Sequence, residues 1–301
     1  MDPLTLFAAP PAAVGLEVAV DDDFAYAVRV GGDAWLRSSP VRAYVGHTEH
    51  GSPTKVGGVA SSAGTDTIGA FAAKTQHWRA GQVGFATAIK VYPLLGAAVF
   101  ETMVPAGAAG TNASVPVVPG GWPGSQGNVK PIVAFPAFAT DSGSTGAGHG
   151  LQALDQLRWE DNFCYYSHGS ALTINGNSSR SMLGQGVYGG PVVLHERRNL
   201  TAEPGAPLTT LLLAPLDNVK HHGSYRNDTI NSAWELGVYS QVRTLPSGFS
   251  HRTLVLAGAG VTATVERYGA LAQRLAGTDR SAALAKDVVV NSLGYWTDSG
   301  A

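Results

Sequence analysis

The residues with the clearest chemical layout lie at the end of the chain. An apolar run over residues 287–296 is followed directly by Thr297, Asp298 and a short glycine-containing tail. A buried strand that delivers a polar residue to its carboxyl end has this layout, and in a parallel β/α barrel that end carries the active site. We therefore take Trp296 and Asp298 as candidate substrate-binding residues of a complete protein that contains the rest of such a barrel.

The remaining acidic residues offer no catalytic pair. Glu160 and Asp161 stand beside Trp159 in what the sequence predicts to be a polar loop, where an aromatic ring and carboxylates could contact a sugar. Asp21, Asp22 and Asp23 are most simply a solvated turn. Glycoside cleavage needs two carboxyl groups facing each other about 5 to 9.5 Å apart. The sequence nominates no such pair, and no catalytic residue.

Histidine, cysteine and serine give no stronger signal. His47 with His50, the pair His221–His222 and the isolated His195 are predicted to be solvated loop residues, because a zinc site needs three or four ligands. Cys164, between aromatic residues, is predicted to be a buried structural thiol. Ser142 and Ser144 lie outside any strand-to-helix elbow of the hydrolase type. We expect neither a metal nor a cofactor.

A glycine motif near residue 258 resembles a nucleotide-binding fingerprint in its order of strand, Gly-x-Gly-x-x-Ala and helix. Such a motif binds a pyrophosphate only within a βαβ unit. Here it follows a region of predicted antiparallel strands, and too few residues follow it to build that unit. The motif is therefore interpreted as the end of a strand.

Composition predicts a β-rich protein and excludes two classes of partner. The 301 residues include 38 Gly and 17 Pro with only 14% charged residues, which suits many short strands joined by turns. A net charge of -2 without a basic cluster argues against nucleic-acid binding. No apolar run reaches the roughly 18 residues of a membrane-spanning helix.

Localisation is left open by two opposing signals. Four Asn-x-Ser/Thr sequons begin at Asn112, Asn177, Asn199 and Asn227, and this number favours a secreted or lumenal route. The N-terminus, Met1-Asp2-Pro3, lacks the cationic start of a signal peptide.

The pattern of residues divides the chain into three parts. Residues 1–260 show strand after strand between Gly, Pro and Asp breaks, with two loop-like excursions at 106–128 and 140–150, and this predicts packed antiparallel sheets. Residues 261–290 change to helical periodicity, with Thr262 or Thr264 as N-cap and Gly277 as stop. Residues 291–301 would form one further strand. The predicted strands span residues 16–20, 26–30, 41–45, 68–78, 86–92, 97–104, 131–138, 191–194, 209–214, 235–242 and 252–257.

The order of several phrases resembles a known family. These phrases are residues 132–138 (IVAFPAF), 190–194 (GPVVL), 211–218 (LLLAPLDN), 245–250 (LPSGFS), the helix at 268–275 and the terminal LGYWTDSGA. Together they resemble the N-terminal region of eukaryotic glycoside hydrolases related to α-galactosidases and raffinose synthases. The resemblance covers roughly residues 130–301, and only the terminal phrase is distinctive.

This resemblance implies an all-β fold: a large antiparallel β-supersandwich of the galactose-mutarotase-like kind, a short helical linker and the first strand of a missing (β/α)8 barrel. Family members continue the terminal phrase with Asn-Gly-Ala, whereas this chain has Ser299, Gly300 and Ala301. The catalytic carboxylates of the family have no counterpart here. A barrel needs about 200 to 250 residues, so the chain alone is expected to be inactive.

The expected function is that of a non-catalytic N-terminal domain in a glycoside-hydrolase-like protein, with carbohydrate as the partner of the whole protein. The alternative is a free-standing carbohydrate-binding or lectin-like β-protein, with Trp78, Trp122 or Trp159 as stacking residues. A structural module unrelated to sugars is a third interpretation. The apolar C-terminal tail is expected to be exposed and to promote self-association.

Overall fold

A computed structural model describes residues 14–112, 130–139, 154–160, 163–167, 191–196, 208–227, 233–240, 242–278 and 286; for residues 155–160, 163–167, 220 and 224–227 the description is limited to the backbone. Within these ranges the regular structure consists of twenty strands, one α-helix and two short 3-10 turns. The all-β prediction is confirmed for this part of the chain.

The strands are short in most of the chain and long around the largest sheet. In chain order they are β1 (Leu16–Val20), β2 (Tyr26–Val30), β3 (Asp33–Arg37), β4 (Arg42–Val45), β5 (Thr48–His50), β6 (Thr54–Thr65), β7 (Ala70–Ala80), β8 (Val83–Tyr92), β9 (Ala97–Val104), β10 (Ala108–Ala109), β11 (Val133–Ala134), β12 (Ala137–Ala139), β13 (Leu154–Glu160), β14 (Phe163–Ser167), β15 (Val192–Glu196), β16 (Thr209–Pro215), β17 (His222–Asn227), β18 (Ala233–Val238), β19 (Thr244–Leu245) and β20 (Phe249–Ala259). Helix α1 follows over Val261–Ala276.

All pairings between these strands are antiparallel. A nine-stranded sheet has the order β14-β13-β15-β16-β20-β9-β8-β7-β6. Three-stranded sheets have the orders β1-β2-β3, β11-β4-β5 and β12-β18-β17, and β10 pairs with β19. The fold thus follows the expectation from many short strands without intervening helices.

The two faces of the nine-stranded sheet contribute to two different apolar clusters. Along β16, Leu211 and Leu213 belong to a large cluster shared with the smaller sheets, while Leu212 and Ala214 belong to a second cluster shared with α1. Successive side chains of a strand point to opposite faces. The central strands are therefore buried on both sides, which explains their nearly continuous apolar sequence.

Helix α1 packs on the second cluster through Leu271 and partly buried neighbours such as Val265. The Arg267 guanidinium donates hydrogen bonds to the carbonyl oxygens of Ala257 at 2.7 Å and Leu95 at 2.6 Å. The predicted end at Gly277 is confirmed, with this residue in the left-handed conformation at φ 62°. The N-cap is Gly260, so the prediction of Thr262 or Thr264 was wrong.

The glycine motif before α1 has a packing role. Thr264 Oγ1 donates to the Gly260 carbonyl and lies 2.6 Å from Thr210 Oγ1. A Cβ at Gly258 would lie 2.1 Å from that same Thr264 oxygen. Gly258 is therefore needed for close contact between strand and helix, and β20 has antiparallel neighbours on both sides. The interpretation as the end of a strand is confirmed.

The strand prediction was incomplete: it missed the strands β3, β5, β13, β14, β17 and β19. The predicted strand over residues 131–138 is two short strands, β11 and β12, separated by the cis peptide bond between Phe135 and Pro136. The excursion predicted from residue 106 contains β10, which pairs with β19; residues 113–129 and 140–150 lie outside the described ranges. The 12-residue strand β6 was not predicted, since its residues show no apolar alternation.

Candidate functional site

The candidate substrate-binding residues Trp296 and Asp298 lie outside the described residues, as do Trp122, Asp161, Ser142 and Ser144. The structure therefore does not test the roles predicted for these residues. Trp159 and Glu160 belong to β13 rather than to a loop, and Trp159 pairs with Cys164 of β14 across the hairpin. Asn112, which begins the first of the four Asn-x-Ser/Thr sequons, is half-buried.

Trp78 is a core residue, which corrects its nomination as a sugar-stacking side chain. It is 7% exposed and packs edge-on against Phe24, with ring centroids 6.1 Å apart. Its indole N–H donates a 2.8 Å hydrogen bond to Thr87 Oγ1. A ring so enclosed has no free face for a pyranose.

Two of the histidines predicted to be solvated are buried. His195 lies in β15 at 7% exposure, and His222 lies at the start of β17 at 1% exposure. His221, the neighbour of His222, is exposed, and its Nδ1 lies 3.3 Å from the Tyr239 hydroxyl. His47 is exposed in a turn, as predicted. His50, the last residue of β5, is half-buried. The prediction of solvated side chains therefore failed for His195 and His222.

His222 belongs to a polar cluster that joins two sheets, which we call the histidine cluster: His222, His251, Asp217 and Arg252. His222 Nδ1 lies 3.0 Å from His251 Nε2 on β20. His251 Nδ1 lies 3.1 Å from Asp217 Oδ1, close enough for electrostatic attraction although not aligned for a good hydrogen bond. Asp217 follows β16 and also accepts hydrogen bonds from the Arg252 backbone N–H at 2.8 Å and Nε at 2.7 Å.

Burial and neighbouring charges set the protonation of this cluster. Burial, with the adjacent His251 ring, lowers the pKa of His222 well below 6.5, against a smaller opposing effect of Asp217. Burial would raise the pKa of Asp217, but the close contact with His251 and the hydrogen bonds from Arg252 outweigh this effect and hold the pKa of Asp217 below 3.8. The cluster at neutral pH therefore contains a neutral His222 and an ionised Asp217.

The position of the Asp217 carboxylate determines which ring nitrogens of His251 and His222 donate and which accept. Because His251 Nδ1 faces Asp217, that nitrogen carries the ring proton, and a neutral His251 presents Nε2 as an acceptor. His222 then donates from Nδ1 to His251. This order resembles a base oriented by a carboxylate, as in nucleophilic catalysis.

The space beside the histidine cluster is too small for a substrate. His251, Thr102, Ile132, Val238 and Phe249 line a cavity of about 10 Å³, together with Val133 and Leu245. A single water molecule needs roughly that volume. The two buried imidazoles therefore have no adjoining space in this cavity for more than one water molecule.

A second polar cluster, the arginine cluster, consists of Arg42, Glu49, Glu235 and Lys130. Arg42 Nη2 lies 2.7 and 2.8 Å from the two carboxylate oxygens of Glu235, and Nη1 donates to Glu49 at 2.9 Å. Lys130 Nζ lies 2.6 Å from the other oxygen of Glu49. These contacts join β4 and β5 of one small sheet to β18 of another.

The arginine cluster places two carboxylates on one guanidinium, but not in an arrangement for glycoside cleavage. Glu235 is 1% exposed, so no sugar ring can approach it. Both Glu235 and Glu49 are neutralised by Arg42, whereas a catalytic acid and nucleophile must face each other across the substrate. The signal that could have found this cluster, Arg42 inside an otherwise apolar strand, was not recognised in the sequence.

Among the described residues, no three His, Cys, Asp or Glu side chains are arranged to hold a metal ion. No helix in the same ranges is long and apolar enough to cross a membrane.

No protein-family model matches the sequence. A search of curated proteins finds no match either. Among solved structures the chain is similar to α-N-acetylgalactosaminidase NagBb from Bifidobacterium bifidum, with 10% identity and a TM-score of 0.46 to its GalNAc complex, and 12% identity and a TM-score of 0.48 to a quadruple mutant. Each match covers 87% of this chain and 38% of the glycosidase chain. This chain thus spans less than two-fifths of those structures, and a likeness of this size carries no residue-by-residue correspondence.

Proposed function

We propose that this chain is a β-supersandwich domain of a glycoside-hydrolase-like protein and that it contributes no catalytic carboxylate of its own. The proposal rests on the observation that three acidic side chains of the described part are paired with arginines. The carboxylates that meet in the described part, Glu49 and Glu235, share Arg42, and Asp217 is held by Arg252. Carboxylates that are paired in this way stabilise a fold and are not available as a catalytic acid or nucleophile.

The phrases that carry the family resemblance support a scaffold role. Residues 132–138 fall on β11 and β12, and residues 192–194 and 211–215 on β15 and β16. Their apolar side chains are buried in the two apolar clusters. They thus contribute core packing, which is what a supporting domain requires.

The protein of which this domain would be part acts on glycosidic bonds, in a manner similar to α-galactosidases. There, a carboxylic acid protonates the leaving oxygen while a second carboxylate assists at the anomeric carbon. The domain would pack against a catalytic barrel, with Trp296 and Asp298 on its first strand. No observation on the described residues favours the lectin-like alternative, since Trp78 is buried.

A turnover assay tests the inactivity of the chain. The purified chain is incubated with aryl α-galactosides and aryl α-N-acetylgalactosaminides, and no release of the aryl group above buffer is expected. Hydrolysis that co-elutes with the chain through successive columns would overturn the proposal. Specific binding on a glycan array, without turnover, would instead support an autonomous carbohydrate-binding protein.

A second test concerns the remainder of the protein. The DNA that follows the Ala301 codon is sequenced from the source genome, and an in-frame continuation encoding alternating strands and helices is expected. A continuation without that alternation, or none at all, would contradict the assignment to a barrel-containing enzyme, whatever the result of the assay.

A further inference from the structure

The connection between β16 and β17 leads the chain from the nine-stranded sheet into the smaller β12-β18-β17 sheet, and it is held against β20. Asn218 Nδ2 donates to the Ser250 carbonyl at 2.9 Å. At the end of the connection, His222 Nδ1 lies 3.0 Å from His251 Nε2. The contact between the two imidazoles therefore fastens the start of β17 to β20.

The contact between His222 and His251 can hold only one proton. A neutral imidazole has one N–H and one bare nitrogen, whereas an imidazolium has an N–H at both nitrogens. If at least one ring is neutral, a single proton can lie between the two nitrogens. If both rings are cations, two N–H groups face each other at 3.0 Å. Because the rings are only 1% and 2% exposed, solvent does not screen this repulsion, and the contact must break.

Asp217 makes the two rings unequal. Its Oδ1 lies 3.1 Å from Nδ1 of His251, the ring nitrogen that does not face His222. An opposite charge at this distance favours the charged form of an imidazole. Burial, with the adjacent His251 ring, instead lowers the pKa of His222. A first proton on the pair is therefore best held on His251, and a second must go to His222.

We propose that His222 and His251 form a two-stage acid latch between β17 and β20. In the first stage a proton adds to Nε2 of His222 while the Nδ1 proton of His222 passes to Nε2 of His251, so that His251 becomes the cation beside Asp217. The hydrogen bond between the rings is then reversed but retained. In the second stage His222 gains a proton at Nδ1, the contact breaks and the start of β17 is released. The latch is independent of the glycoside-hydrolase assignment.

The groups around the pair leave the two imidazoles as the acid-sensitive members of the histidine cluster. Arg252 stays protonated, and its Nε donates to Asp217 at 2.7 Å. The lowered pKa of Asp217 keeps this carboxylate ionised in mild acid. His221, which precedes His222 in the chain, contacts the Tyr239 hydroxyl instead.

Hydrogen exchange at the backbone amides of His221 and His222 tests the latch. These amides donate to the carbonyls of Asn218 and Val219 in the turn before β17. Exchange rates, corrected for the intrinsic effect of pH on exchange, give the opening constant of this turn. Since opening takes up one proton, on His222, the opening constant should rise about tenfold for each pH unit below about pH 6. The amides of β16 should stay protected over the same range.

The variant Asp217→Asn distinguishes two stages from one. Without the carboxylate, the closed pair no longer holds the first proton, so opening takes up both protons. The opening constant should then rise by up to about a hundredfold per pH unit. Arg252→Met is the matched control, because it removes the other partner of Asp217 and leaves the carboxylate beside His251. This control should loosen the turn at every pH but keep the tenfold slope.

Nitrogen-15 NMR of the imidazole rings tests the order of protonation in the unmodified chain. The two ring nitrogens are distinct, so the spectrum shows which of them carries the proton. On acidification, His222 should change from the Nδ1-protonated to the Nε2-protonated tautomer while His251 becomes a cation. Only at lower pH should His222 become a cation, together with the rise in exchange at its amide.

Three results would overturn the latch. An opening constant that does not change with pH would show that the contact is not released by protons. Equal slopes in Asp217→Asn and the unmodified chain would show that the carboxylate does not separate two stages. A His222 ring that becomes a cation without first changing its tautomer would show that the contact breaks with the first proton. The first and third results need no variant, so they hold even if a variant fails to fold.

Discussion

The arginine cluster and the histidine cluster both tie sheets together with polar groups, but the buried group at the centre of the first is an arginine and that of the second is a neutral imidazole, His222. In the arginine cluster a guanidinium, which stays protonated at any pH of interest, joins Glu49 and Glu235. In the histidine cluster the contact between β17 and β20 is made by two imidazoles. The first contact is fixed, and the second depends on His222 remaining neutral.

The difference follows from what each cluster buries. A buried ion pair brings its own counter-charge and becomes costly only when one partner is removed. A buried neutral histidine that is hydrogen-bonded costs little until it gains a proton, and then a cation is buried without a new partner. The arginine cluster should therefore be sensitive to mutation, and the histidine cluster to acid.

The largest effect is expected for Arg42→Met. This change removes the Arg42 cation from the carboxylate of Glu235, which is 1% exposed. Removing one partner of a buried pair costs about 3 to 5 kcal/mol of unfolding free energy. Urea denaturation at pH 7 measures the loss.

The double variant Arg42→Met/Glu235→Leu provides the control for this prediction. With both charges removed, most of the lost stability should return, because an apolar pair of similar volume can replace a buried ion pair. If Arg42→Met alone costs less than about 1 kcal/mol, the arginine cluster is not a fixed contact between the small sheets.

The second-largest effect on stability is expected from acid, through the histidine cluster. Because the pKa of His222 is lowered in the folded state, the unfolded chain binds more protons below about pH 6.5, and the unfolding free energy falls as the pH drops below that value. The slope reaches at most about 1.4 kcal/mol per pH unit for one group. The groups that face His222 and its partner are His251, Asp217 and Arg252.

Variants separate this effect from general acid denaturation. His222→Leu should be less stable at pH 7 but should lose the part of the slope that begins near pH 6.5, while His77→Asn, at an exposed position on β7, should keep it. Asp217 contributes a separate loss, since its pKa is lowered and its stabilisation disappears only as the pH falls below about 3.8. An unchanged slope between pH 7 and 5 in His222→Leu would show that the buried imidazole does not titrate with unfolding.

The strands of the large sheet were predictable where side-chain alternation and breakers coincide. Strand β9 was predicted with its observed bounds because Gly96 and Pro105 flank a mostly apolar run. Strand β6 was missed because Ala, Ser and Gly carry no apolar period; pairing with β7 makes it a strand. To recognise β6 as a strand, one must know that it pairs with β7. β7 begins 5 residues after β6 ends, but the residue pattern within β6 does not indicate this pairing.

The polar clusters were less accessible to sequence reasoning. His222 and His251 meet because β17 and β20 belong to sheets that pack on each other, a relation that spans 29 residues. The candidate residues Trp296 and Asp298 stay a prediction, as does the division at residues 260 and 290.

The smallest effect is expected at the exposed end of the arginine cluster, for Lys130→Met. Lys130 contacts Glu49 at 2.6 Å, but both side chains are partly solvated, at 34% and 30% exposure. An ion pair in this setting contributes about 0 to 1 kcal/mol and weakens with salt. We therefore expect a small loss in urea denaturation that vanishes in 1 M NaCl, while the loss in Arg42→Met persists there. A stability loss in Lys130→Met that is as large as in Arg42→Met, and equally resistant to salt, would contradict this expectation. It would mean that Lys130 and Arg42 contribute equally to balancing the charge of Glu49. The buried and the solvated ends of the arginine cluster would then not differ in strength.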